Sequence, residues 1–184
     1  MGVLRRNILL TLAEAEFFRL RWSQEILDET ETAIHKIILK QSSDDKTSLE
    51  QAKKAVTFMS DAFDEANVVA YEHLIDDLKS KLPDPKDAHV LAAAIQTRAS
   101  MIVTENLKDF PSEILTPYHL EAKNADEFIA DTIELDKGRA LTAISTMRAR
   151  FRRPEMTPNM LLNHMEKVGL IATADALKDF ESHI

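Results

Sequence analysis

Between Asp84 and Pro111 the chain reads DPKDAHVLAAAIQTRASMIVTENLKDFP, and this stretch limits the fold more than any other. Asp84 can cap a helix whose first position is Pro85, where the ring's fixed φ and missing N–H do no harm. The predicted helix runs to about Arg98 over a body of small alanines. Met101-Ile102-Val103-Thr104 then forms a short apolar strand, and a polar turn follows. Other short strand candidates are Phe18–Trp22, Asn67–Ala70 and Ile114–Thr116, each separated from the next by helical pattern. Strands alternating with helices predict an α/β fold, a parallel sheet flanked by helices. In such a sheet ligands bind beyond the carboxyl ends of the strands. Thr104, Asn106 and Asp109 fall there, and the helix start carrying Asp87 can face the same crevice.

The remaining pattern is helical. Residues 4–17 place Leu4, Ile8, Leu9, Leu12 and Ala15 on one face. Ser23 can cap a helix bearing Ile26, Leu27, Ala33, Ile34 and Ile37. Gln41–Ser48 reads as a loop, with Ser48-Leu49-Glu50-Gln51 as a capping box opening the next helix, and another helix covers 71–80. After about residue 123 strand signals stop. A long helix is expected from Asn124 to about Phe151, stopped by Pro154; Thr157-Pro158 opens another that Gly169 ends, and Thr173–Glu181 forms a last one. The expected organisation is one domain over 1–123 and a helical extension over 124–184.

Composition excludes several classes. Three glycines leave no room for a Gly-rich phosphate loop, and the absence of cysteine removes disulfides, thiolate metal sites and a cysteine nucleophile. No apolar run reaches the roughly 18 residues of a membrane span. The opening MGVLRRNILLTLAEAEFF resembles a leader, but Glu14 and Glu16 interrupt it and no small-residue cleavage site follows, so it reads as a soluble helix of a cytoplasmic protein with no membrane partner. A net charge of −8 makes the chain a poor general binder of nucleic acid. Cations in an acidic pocket and local arginines would have to carry any phosphate contact. Arg5, Arg6 and the cluster Arg148, Arg150, Arg152 and Arg153 are the candidates for RNA or partner contact; the plainer reading of the cluster is a solvated helix end.

Carboxylates near a strand's carboxyl end suit a hard cation such as Mg²⁺, which prefers oxygen ligands and can activate water and offset phosphate charge. Here the sequence resembles the PIN-domain family. The resemblance rests on Asp87-x-His89-Val90-Leu91-Ala92-Ala93-Ala94, on Ile102-Val103-Thr104-x-Asn106-x-x-Asp109-Phe110, and on Trp22-Ser23-x-Glu25-Ile26-Leu27-x-Glu29. The C-terminal part also looks like the extension of one VapC subgroup. The resemblance implies a Mg²⁺- or Mn²⁺-dependent endoribonuclease that cleaves RNA, the toxin of a toxin–antitoxin pair, with an antitoxin protein as partner. By position, Glu29 and Asp87 would be metal carboxylates, with Glu25 as the alternative to Glu29. Asn106 and Asp109 would complete the cluster or orient water, and Thr104 would support them through its hydroxyl. Asp87, Glu29 and Asp109 are the expected catalytic residues. His89 reads as a packed or surface side chain and not a ligand, and Asp84 as a helix cap.

The family normally begins with a hydrophobic strand ending in aspartate, just before the segment that matches Val3–Asn7. The chain starts after that point, so the first strand and its aspartate are expected to be missing. Either this start is native or the start codon is misassigned. On that expectation the enzyme is impaired, and the chain is expected to dimerise to fill the gap. The alternative function is a catalytically silent PIN-like module that binds a partner protein or itself.

Overall fold

The computed structural model describes residues 2–40, 44–152 and 154–184. Contacts divide the chain into two compact units, Leu20–Lys123 and a discontinuous one made of Gly2–Arg19 with Asn124–Ile184.

The first unit contains the parallel sheet. Strand β1 (Met101–Val103) pairs in parallel with β2 (Glu121–Lys123), Ile102 opposite Ala122. A further parallel bridge joins Trp22 to Asn67, with Trp22 N–H donating to Ala66 O at 3.0 Å and Val68 N–H to Trp22 O at 2.8 Å. The expected Phe18–Trp22 and Asn67–Ala70 strands thus meet at a single bridge. Ile114–Thr116 is not a strand. Ile114 and Leu115 lie in a short helix, Ser112–Leu115, and Thr116 opens a 3₁₀ turn. The last strand is the polar Glu121–Lys123, whose half-exposed side chains leave no apolar signature.

The longer helices of this unit are Gln24–Leu39, Asp45–Ala62, Glu72–Lys79 and Ala88–Gln96. Ser23 caps the first, its Oγ accepting from Ile26 N–H at 3.2 Å. The second starts earlier than the Ser48 capping box suggests. Asp44 is its cap, and Ser48 is buried inside the helix with its hydroxyl donating to Asp44 O at 2.7 Å. Of the expected loop, residues 41–43 lie outside the described residues. The core of the unit gathers around Leu91, Ala92, Ile102, Phe110 and Leu115. The alanines of helix 88–96 keep that helix thin enough to lie close against β1.

The second unit is helical. Val3–Glu14, Ala125–Leu135, Lys137–Ala149, Pro158–Lys167 and Ile171–Lys178 pack around Ile8, Leu12, Ile129, Ile144, Leu161 and Leu177, all fully buried. The expected helix over 124–151 is two. Asp136, extended at φ −153°, closes the first and caps the second by accepting from Arg139 N–H at 3.1 Å. Thr157 and Gly169 bound helix 158–167 as their residue types suggest. Thr157 Oγ1 accepts from Met160 N–H, and Gly169 at φ +80° lets Leu170 N–H reach Met165 O at 2.9 Å, a glycine-terminated helix end. Helix 171–178 is held by Asp126, whose carboxylate accepts from Ala172 N–H, Thr173 N–H and Thr173 Oγ1, each at 2.8 Å.

Candidate functional site

All the expected acidic residues lie in the first unit. Asp84 is a local cap, its Oδ1 accepting from Lys86 N–H at 2.9 Å. Asp87 follows in the same 3₁₀ turn, just ahead of helix 88–96, and its side chain caps nothing. Its carboxylate is therefore available for other work. Burial, then the negative charges of Asp109, Asp84 and Glu29, hold that carboxyl above the ordinary carboxylate range, while His89 pulls the other way. Three separate segments, around residues 29, 87 and 109, thus act on one carboxylate.

The turn after β1 is organised by its own side chains. Thr104 Oγ1 accepts from Asn106 N–H at 3.1 Å. The Asn106 amide donates to Asp109 Oδ2, and Asp109 is buried while Asn106 is exposed. The hydroxyl thus steadies the turn, and the turn delivers an amide to a buried carboxylate.

Helix 24–39 carries two acids one turn apart, Glu25 and Glu29, both exposed. Glu25 accepts a hydrogen bond from Tyr71 Oη. Glu29 instead meets His89, with Oε1 3.4 Å from Nε2. His89, read from sequence as packed or on the surface, is buried, yet neither ring nitrogen has a hydrogen-bond partner.

The donor set is carboxylate and amide oxygen, which fits a hard divalent cation by chemistry. Among the described residues no three histidine, aspartate or glutamate side chains close around one point as a metal cage. The exposed Glu29 would have to turn to complete one.

The arginines fall in the second unit. Arg5 donates to Val168 O at 2.9 Å and Arg148 to Met156 O at 2.7 Å. Arg6 donates to Asn7 Oδ1 at 3.2 Å, and burial lowers its pKa. Arg150 meets Glu14 at 3.5 Å, and exposed Arg152 pairs with Glu155 only through the backbone, in an isolated antiparallel β-bridge. Arg153 lies outside the described residues.

A family described as PIN domain matches residues 4–108. The chain belongs to the PIN-domain family. A second family, described as VapC50 C-terminal domain, matches residues 125–179 of this PIN protein. A 78-residue stretch is 42% identical to a Mycobacterium tuberculosis (strain ATCC 25618 / H37Rv) protein named "Putative ribonuclease VapC50". That stretch covers 42% of this PIN chain and 46% of the relative, so the two align over less than half of either. No solved structure matches. Among the described residues no helix is long and apolar enough to cross a membrane.

Proposed function

We propose that the chain is a VapC-type PIN ribonuclease, a toxin that cuts RNA and is restrained by an antitoxin protein in the cytoplasm. The observation that carries this reading is the match of residues 4–108 to the PIN family, and the charges of Glu29 and Asp109 felt by Asp87 lend it support. Acidic groups that repel one another in a folded chain are held together for a reason, and a divalent cation would relieve the repulsion.

Asp87 and Glu29 would hold Mg²⁺ or Mn²⁺, Asp109 and Asn106 would complete the set, and Thr104 would steady Asn106 from behind. When bound, such a cation offsets phosphate charge and makes water a better nucleophile. The chain's own part is to orient. Asp109, buried and held by the Asn106 amide, has little rotamer freedom, and Asp87 is free of capping duty. Tyr71 takes up Glu25, which supports Glu29 as the acid of helix 24–39. In a chain of net charge −8, local cation binding is also what would let an RNA phosphate approach.

The silent, partner-binding reading draws on one observation, that no three such side chains form a cage among the described residues. One experiment decides between the two. RNA cleavage is measured with Mn²⁺, with EDTA, and in Asp87→Asn, Glu29→Gln and Glu25→Gln. Cleavage that needs Mn²⁺ and falls at least a hundredfold in Asp87→Asn, with Glu29→Gln more damaging than Glu25→Gln, supports the nuclease. Cleavage indifferent to EDTA and to Asp87→Asn refutes it. Light scattering of the same samples tests self-association.

A further inference from the structure

His89 is a buried polar side chain to which the proposed chemistry gives no task. It is 8% exposed and sits on the first turn of helix 88–96, two residues after Asp87. Neither Nδ1 nor Nε2 has a hydrogen-bond partner among the described residues. Burying an imidazole in that condition is unfavourable, and native interiors rarely tolerate it without a partner in some state. The nearest acid by geometry is Glu29, with Nε2 3.4 Å from Oε1. The Glu29 side chain is 65% exposed, so a small rotation can close that gap.

On the metal-site reading above, we propose that His89 is a positioning residue whose Nε2–H donates to Glu29 and fixes that carboxylate relative to Asp87. Glu29 comes from helix 24–39 and Asp87 from the turn before helix 88–96, so their mutual position depends on side chains that span the two. The imidazole is suited to this because packing fixes its ring, whereas an exposed glutamate samples many rotamers. A donor on one Glu29 oxygen leaves the other free. Tyr71 does the same for Glu25, so Glu25 and Glu29 are held by different donors and are not interchangeable. The contact needs only a neutral imidazole with its proton on Nε2.

The test uses the full chain and Mn²⁺ alone as probe, read by electron paramagnetic resonance, so it does not depend on RNA cleavage. His89→Met keeps an apolar body of similar volume and removes the donor; His89→Gln keeps an N–H donor. Loss of a group that orients a metal ligand typically weakens affinity about tenfold. The expected result is about tenfold weaker Mn²⁺ binding in His89→Met, near-normal binding in His89→Gln, and no further loss when His89→Met is added to Glu29→Ala. Equal affinity in His89→Met and the wild type overturns the inference, as does equal loss in the Met and Gln variants. Asp87→Asn separates the two failures. If it binds Mn²⁺ as well as wild type, the site reading itself is wrong. If it loses binding while His89→Met does not, only the role of His89 is wrong. Should His89→Met not fold, nitrogen NMR of the wild-type ring decides: a proton on Nε2 that shifts in Glu29→Ala supports the contact, and a proton on Nδ1 overturns it.

Discussion

Asp87 is disfavoured as an anion in the folded chain, and that has a measurable consequence without any metal. Its pKa is raised from the ordinary 3.8, so between that value and its folded pKa the folded state binds more protons than the unfolded one. Its ionisation therefore lowers stability as pH rises through the folded pKa, and the deficit persists at neutral pH. Replacing it with Asn should stabilise the metal-free protein at pH 7 by up to about 0.5 kcal/mol, a small value because much of the carboxylate is in solvent. The advantage should shrink as pH falls below the folded pKa. Urea denaturation of both proteins across the acidic range checks this; a mutant less stable at pH 7 would contradict it. The residue types at 87, 104, 106 and 109 were legible because helix starts and strand-end turns are local patterns. The different neighbours of Glu25 and Glu29 were not, since i and i+4 share a helix face and Tyr71 and His89, which meet them, are distant in sequence. For His89 the sequence left packed and surface positions open, and it carries no sign that a buried ring lacks partners.

Helix ends show where local signals suffice and where they fail. Gly169 marks its helix end openly. Two other ends use the same geometry without glycine: Glu16 at φ 58° and Arg98 at φ 50°. Phe17 N–H reaches Leu12 O at 3.1 Å and Ala99 N–H reaches Ala94 O at 2.9 Å, the pattern of a left-handed helix end. A non-glycine side chain there is strained by roughly 1–2 kcal/mol, offset in part by glycine's greater freedom when unfolded. Arg98→Gly and Glu16→Gly should each raise stability by about 0.5–1 kcal/mol, seen as a higher thermal midpoint; Arg98→Ala should not. The opposite effect is expected at Asp126. Removing its carboxylate with Asp126→Ala strips the start of helix 171–178 of its acceptor and should cost about 1–2 kcal/mol. The break at Asp136 escaped sequence reading because the apolar spacing of Ile129, Ile133, Ala140 and Ile144 runs on through it. Met101–Val103 was legible as a short apolar run, whereas Glu121–Lys123 escaped because it is polar and too short for alternation to show, and the sheet's parallel sense was inferred from helix–strand alternation alone.

For the whole molecule, the telling feature is that helix 3–14 packs in the second unit. Ile8 and Leu12 are fully buried with Ile144, so Ile144→Ala should destabilise that unit by about 2–5 kcal/mol, measurable by hydrogen exchange in helix 3–14. Ending the chain after Lys123 should leave Leu4, Ile8, Leu9 and Leu12 without their helical partners, and light scattering should show more association than in the full chain. A monodisperse, cooperatively unfolding 1–123 fragment would show that this helix needs no such cover.

The same arrangement sets an order of events during synthesis. Helix 3–14 leaves the ribosome well before the helices that enclose it, which begin only at Ala125. At about 5–20 residues per second, the intervening stretch takes roughly 5–20 s to make. For that interval the apolar stripe is bare on a growing chain, while the segment holding Glu29, Asp87 and Asp109 can already fold. A partner that recognises the nascent protein would therefore meet the acidic cluster before the second unit exists.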